Sequence, residues 1–257
     1  MSNMARARHR TAAVAALALV LAAPASHASQ NQQEPAGMTS TPQSQTLSAT
    51  HQAIVPIAAF AAAGDIARLN AALNQGLDAG LTVSEAKEVL VQLYAYAGFP
   101  RSLNALTELM KVVDARKQRG VKDTEGRGPS RPIPKGDALM AAGTANQTRL
   151  SGAPVQGPLF DFAPVANEYL RAHLFGDIFE RDNLDWQSRE VATVSMLSAL
   201  AGVESQLQSH IRISMNVGLS AQQLRQLGSV LADRVDAESA KRVRDALERH
   251  LASKPAS

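Results

Sequence analysis

The chain is 257 residues long, 45% apolar and 19% charged, with one Trp, three Tyr and six Phe. That balance excludes a disordered or fibrous protein, and an apolar set dominated by Ala and Leu points to an all-α fold of packed helices. Cysteine is absent, which excludes thiol nucleophiles and thiolate metal sites; the formal net charge of +3 falls to zero once Arg6, Arg8 and Arg10 are set aside, so the positive field that a nucleic-acid partner requires is missing.

Those three arginines open the chain. They precede an apolar run from Thr11 to Ala23 and small-residue exits at Ala23-Pro24-Ala25 and Ser26-His27-Ala28. This is the layout of a secretory signal peptide over residues 1–28, cut after Ala28 or Ala25. A run of 13 residues falls short of the roughly 20 that a stable membrane anchor needs. The protein is therefore expected to be exported, periplasmic or secreted. Residues 29–50 are rich in Gln, Ser, Thr and Pro and read as a flexible tether.

A first helical module is expected over residues 51–118. Ala86, Val89, Leu90, Leu93 and Ala97 form one apolar stripe that ends at Gly98-Phe99-Pro100, and Leu103, Leu106, Met110 and Val113 form the next, up to Gly120. Residues 119–158 hold seven Gly and five Pro without a sustained period and read as a connector. Helical pattern resumes over residues 159–253, the second module.

The two patterned stretches align at an offset of 138: Gly80-Leu81-Thr82 falls on Gly218-Leu219-Ser220, Glu85 on Gln223, Leu73 on Ile211, Leu77 on Met215 and Leu93 on Leu231. In each, a helix closes at Gly, then Thr82 or Ser220 caps the next helix and Glu85 or Gln223 completes a capping box. One such helix pair buries little alone, so the copies, or several chains, are expected to pack together.

The stretch Asn183-Leu184-Asp185-Trp186-Gln187-Ser188-Arg189-Glu190, with VATVSMLSALAGVESQLQSHIRISMNVGLS after it, resembles the carboxymuconolactone decarboxylase family, as does GLTVSEAKEVLVQLYAYAGFPRSLNAL in the first copy. The resemblance implies an all-helical fold, assembly into trimers or hexamers, and one of two chemistries. One branch decarboxylates 4-carboxymuconolactone with no metal or organic cofactor. The other, the alkyl-hydroperoxidase D-like branch, uses Cys-x-x-Cys-x-x-x-His; with its His on His210, the cysteines fall on Val203 and Gln206, and in the first copy on Asp65 and Arg68. The thiol peroxidase mechanism thus lacks its nucleophile. The decarboxylases' Trp-Gly and Arg-Pro-Gly-Leu segments also differ here, as Phe175-Gly176-Asp177 and Arg181-Asp182-Asn183-Leu184, which implies altered substrate contacts.

Glu190 lies in line with Val194, Leu197 and Ala201 on an apolar helix face, where a desolvated carboxylate suits acid–base work. The alternative is a first-turn carboxylate complementing the helix N-terminus. His210 shares a face with Leu207, Ile211 and Ser214; on residues alone it reads as a core histidine, whereas the resemblance makes it the recurring helix histidine, replaced in the first copy by Ala72. Arg189 and Arg212 flank the pair and are candidates to hold an anionic substrate, Trp186 to wall a pocket, and Tyr96 to line a cleft between the modules. His173 and Asp177, four apart, lack a visible third metal ligand.

These observations lead to a cofactor-free lyase-like reaction on a small organic acid or lactone, with His210 and Glu190 as catalytic residues in a homo-oligomer. Export fits poorly with intracellular aromatic-acid breakdown. Two alternatives follow, a non-enzymatic periplasmic ligand-binding assembly and peroxide defence without cysteine.

Overall fold

A computed structural model describes residues 45–253. The expected signal peptide and residues 29–44 of the expected tether lie outside the described residues. The tether's last residues already belong to the fold: Leu47 is buried, its N–H donates to Gln226 Oε1 at 2.7 Å, and Ser48 caps the first helix.

Helix α1 (Ala49–Ala63) is Ala-rich and buried on almost every side from Ala53 to Ala62, because its small side chains let neighbours approach from all directions. It closes at Gly64, in the left-handed region at φ 77°. Asp65 caps α2 (Ile66–Asp78), and Thr82, with Glu85 reaching back, forms a complete capping box at the start of α3 (Val83–Gln92). A single turn, α4 (Tyr94–Ala97), leads into α5 (Phe99–Gln118).

The expected connector is not featureless. It contains α6 (Asp137–Ser151), followed by the short α7 (Pro158–Phe162) and α8 (Pro164–Tyr169) and a π-helical segment over Leu170–Ile178. Gly and Pro at its ends hid this helix, whose own apolar stripe is narrow: only Gly143, Gln147 and Leu150 are buried. A Cβ added at Gly143 would lie 1.9 Å from the Arg171 carbonyl oxygen, so glycine lets α6 and the π-helical segment meet backbone to backbone. Earlier in the connector, the carbonyls of Thr124 and Glu125 accept the N–H groups of Val83 and Ser84, covering the first turn of α3.

Asp185 caps α9 (Trp186–Ser198), which is buried from Ser188 onward. Then come α10 (Glu204–Asn216), α11 (Ala221–Arg234) with the second capping box at Ser220 and Gln223, and α12 (Ala237–Ala252). The offset of 138 carries α2 onto α10 residue for residue and brings the starts of α3 and α5 onto those of α11 and α12. The protein is thus all-helical with two tandem modules, and among the described residues no strand occurs. The central helices of the copies, α1 and α9, pack on each other within one core that joins Ile54, Val55 and Ile57 to Val191, Ala192 and Val194. A smaller cluster of Leu150, Leu174, Phe175, Ile178, Phe179 and Ile213 fastens α6 and the π-helical segment to α10. No described helix is long and apolar enough to cross a membrane.

Candidate acid–base site

The cap at Asp185 places Glu190 in the second turn of α9, past the free N–H groups of the helix start, and its side chain is fully buried. The first-turn alternative is therefore not what the structure shows. From α10, His210 directs Nδ1 to Glu190 Oε2 at 2.8 Å, with a side chain 10% exposed. If the carboxylate accepts from Nδ1–H, the ring is fixed in the tautomer whose Nε2 carries the lone pair, and Nε2 has no hydrogen-bond partner among the described residues. Glu190 Oε1 is also buried without a hydrogen bond. The pair thus presents one unpartnered ring nitrogen and one unfilled acceptor in a site nearly closed to water.

Tyr96, from the first module, meets the imidazole edge-on with centroids 5.5 Å apart and an interplanar angle of 80°. Its hydroxyl is buried without a well-formed hydrogen bond, and burial followed by the charge of Glu190 pushes its pKa well above the usual phenol value, so it stays protonated. Glu190, His210 and Tyr96 are the sequence candidates that the structure brings together.

Arg189 does not join them. Its side chain is fully buried and bound elsewhere: it donates to Glu88 Oε2 at 3.0 Å, to Gln92 Oε1 at 3.2 Å and to the Arg181 carbonyl at 2.8 Å. This corrects its expected role as a substrate grip, since a fully buried guanidinium committed to a buried carboxylate is out of reach of an anion from solvent. Glu88 also receives Arg181 at 2.6 Å and Asn183 at 3.0 Å. Burial raises the Glu88 pKa, but the hydrogen bonds from Arg181 and Asn183 and the charge of Arg189 outweigh it and hold the carboxyl below its ordinary value. Gln92 closes the network by donating to the Arg189 carbonyl and to Thr193 Oγ1 at 2.9 and 2.7 Å.

Glu88 and Gln92 come from the first module, Arg189 and Thr193 from the second, so this network joins the copies beside the acid–base pair. Sequence reasoning missed it. A Glu and a Gln at i and i+4, in line with Ser84 rather than with Lys87, were the signal, and that pattern also fits an exposed helix face.

Arg212 is exposed and, two positions from His210, lies on a different face of α10. Trp186 is partly buried in the smaller cluster, where its Nε1–H donates to the Phe179 carbonyl at 3.3 Å and Arg149 stacks 4.8 Å from its ring centroid. It walls a pocket with Arg149 and Asn216, as expected of it, but that pocket does not include Glu190 or His210. His173 and Asp177 bond each other at 3.0 Å on the surface, and among the described residues no group of three or more potential metal ligands occurs.

Among the described residues, the duplicated helical frame carries a buried carboxylate–imidazole pair in one copy only. The family model for the carboxymuconolactone decarboxylase family matches residues 37–110 and 164–249, more than half of the chain, and the protein belongs to that family. No curated protein matches the chain.

Proposed function

We infer that the protein performs cofactor-free acid–base chemistry on a small organic acid or lactone, with His210 Nε2 taking or giving the proton and Glu190 holding the ring. The observation that carries this reading is the buried 2.8 Å contact between Glu190 Oε2 and His210 Nδ1, in a family one of whose chemistries is a decarboxylation. Decarboxylation leaves an electron pair on carbon as the C–C bond breaks and carbon dioxide departs. A protonated imidazole beside that carbon quenches it, and a dry surrounding favours loss of the charged carboxylate. Tyr96, kept protonated, supplies a second donor for a developing enolate oxygen.

The reading extends to export through residues 1–28 and to self-association. Leu159, Phe162, Val165 and Tyr169 on α7 and α8 are 52–89% exposed, a face that a second copy of the chain can cover. Light scattering is expected to show an oligomer; a monomer removes that part. The central test follows ultraviolet absorbance and carbon dioxide release with 4-carboxymuconolactone and related lactone acids, using wild type and His210→Ala. Turnover lost in the folded variant supports the assignment. Equal turnover by the variant ends it, and ligand-induced melting shifts without product would make the family fold a receptor.

A further inference from the structure

The apolar stripe of α5 does not turn into the core. Leu103 and Met110 are 58% exposed and Phe99, on the same face, is 60% exposed, while Leu106 and Val113 touch the core only in part. The buried side of the helix is the more polar one, with Ser102, Glu108 and Arg116 beside Ala105, Leu109 and Val112. A helix in water turns its apolar stripe inward, so this orientation is inverted. Beside the stripe, against α3, runs a groove of about 500 Å³ walled by Val91, Leu106, Met110 and Val113. An outward apolar face of this kind marks a contact surface.

Apart from Val121, the other large apolar side chains that stand exposed among the described residues are Leu159, Phe162, Val165 and Tyr169 on α7 and α8. The two surfaces differ in shape, since Phe162 projects at 89% exposure whereas α5 is grooved. They also differ in charge. From Lys111 to Lys122 the exposed charged residues are Lys111, Asp114, Lys117, Arg119 and Lys122, four cations to one carboxylate. From Pro158 to Tyr169 they are Asp161 and Glu168, with no cation, and neither carboxylate is in an ion pair among the described residues. An acidic segment is repelled by a second copy of itself and by an anionic bilayer, and is attracted by the basic end of α5.

We propose that α7 and α8 of one copy of the chain dock on the α5 stripe and groove of a second copy, a head-to-tail contact in which each copy offers one surface and receives on the other. This contact rests on the self-association proposed above and names the surfaces that meet. Phe162 lies against the groove, and Asp161 and Glu168 face the basic end of α5. Two aromatic rings of about 150–250 Å² each, with Leu159, Val165 and an equal area from α5, bring the contact to about the 1,000 Å² that a specific interface needs. Because neither surface is used up by pairing with itself, the contact closes into a ring or continues as a filament.

Light scattering on the full chain compares wild type with Met110→Asp and Phe162→Asp, both at exposed positions, with circular dichroism to confirm folding. Wild type is expected to associate, and each variant alone should be a monomer, its Kd raised at least about thirtyfold, as for the loss of a central apolar anchor. An equimolar mixture of the two variants should form a dimer, because Phe162→Asp keeps an intact α5 and Met110→Asp keeps an intact α7 and α8. Asp161→Lys should weaken association. If Met110→Asp associates like wild type, α7 and α8 pair with themselves; if Phe162→Asp does so, α5 pairs with itself. Either result, or a mixture that stays monomeric, overturns the head-to-tail contact and leaves self-association standing. A wild type that is monomeric at every concentration removes both.

Discussion

At the offset that aligns the copies, the first module holds Gln52 and Ala72 where the second holds Glu190 and His210. Gln52 turns back to donate to the Leu47 carbonyl at 3.0 Å, and Ala72 is a core methyl. One position earlier the contrast runs differently, because both residues are polar and inward. Burial pushes the pKa of His51 down, partly offset by Asp185, and its Nε2 lies 3.0 Å from Ser188 Oγ; Arg189, its counterpart, is a buried cation held by Glu88. The glycines and capping boxes that define the frame survive in both copies. Such features close helices whatever faces inward, so one copy can give up its polar pair without losing the fold.

The largest expected effect tests that division of labour. A positioned acid–base group contributes about 10²–10⁴-fold, so His210→Ala should lower kcat/KM by about that factor on whichever lactone acid is turned over. Gln52→Ala, at the position matching Glu190, should change it by less than about twofold. Steady-state kinetics on both variants, with circular dichroism to confirm folding, decide the matter. Equal losses would mean that both copies serve the chemistry.

Next in size is the network that joins the copies. Glu88→Ala leaves a fully buried Arg189 without its carboxylate, and breaking such a pair costs about 3–5 kcal/mol. Urea unfolding should show this as a lowered midpoint. A loss below about 1 kcal/mol would mean that the network is weakly coupled to folding.

The frame was readable from the chain because its determinants are local. Gly80 and Gly218, at φ 93° and 99°, and the Thr82 and Ser220 capping boxes each depend on a few consecutive residues. The Glu190–His210 pair spans 20 positions and was accessible through helix faces together with a family resemblance. Arg189 was misjudged because its partner Glu88 lies 101 positions away, and nothing local distinguishes a buried arginine with a distant carboxylate from one that waits for a substrate. Helix α6 escaped for a related reason. Its burial depends on a backbone approach at Gly143, and a pattern that looks for side-chain stripes does not register contact made by a missing side chain.

That approach has no counterpart in the repeated frame. Gly143→Ala forces a methyl group against the Arg171 carbonyl and should cost about 1–3 kcal/mol, by the usual penalty for overpacking. Hydrogen exchange should then show faster opening in α6 and the π-helical segment than in α1 and α9. The His51 and Arg189 contrast supplies a pH test. Because the folded pKa of His51 lies below its ordinary 6.5, the unfolded chain takes up that proton first as the solution is acidified. Its contribution is therefore fully present above about pH 6.5 and is lost as the pH falls through the folded value. His51→Gln should flatten this part of the curve of melting temperature against pH, and should leave the more acidic loss, in which Glu88 protonates below its ordinary 4.5, in place.

The smallest effect compares the two capping boxes. Thr82→Ala and Ser220→Ala each remove an acceptor for the N–H of the residue three positions on, at a cost of about 1 kcal/mol. Their surroundings differ. The first turn of α3 is held by the carbonyls of Thr124 and Glu125, and Gly126 comes close enough that an added Cβ would meet Thr82 Oγ1 at 2.5 Å. When α11 loses its cap, its first turn can fray and give its N–H groups to water. When α3 loses its cap, the turn stays pinned under the connector, and the Glu85 N–H is left with less access to solvent. Thr82→Ala should therefore cost a few tenths of a kcal/mol more than Ser220→Ala in urea unfolding, within the range of measured cap losses. The reverse order would mean that the connector relaxes to readmit water, and that its hold on the first copy is looser than its two backbone hydrogen bonds imply.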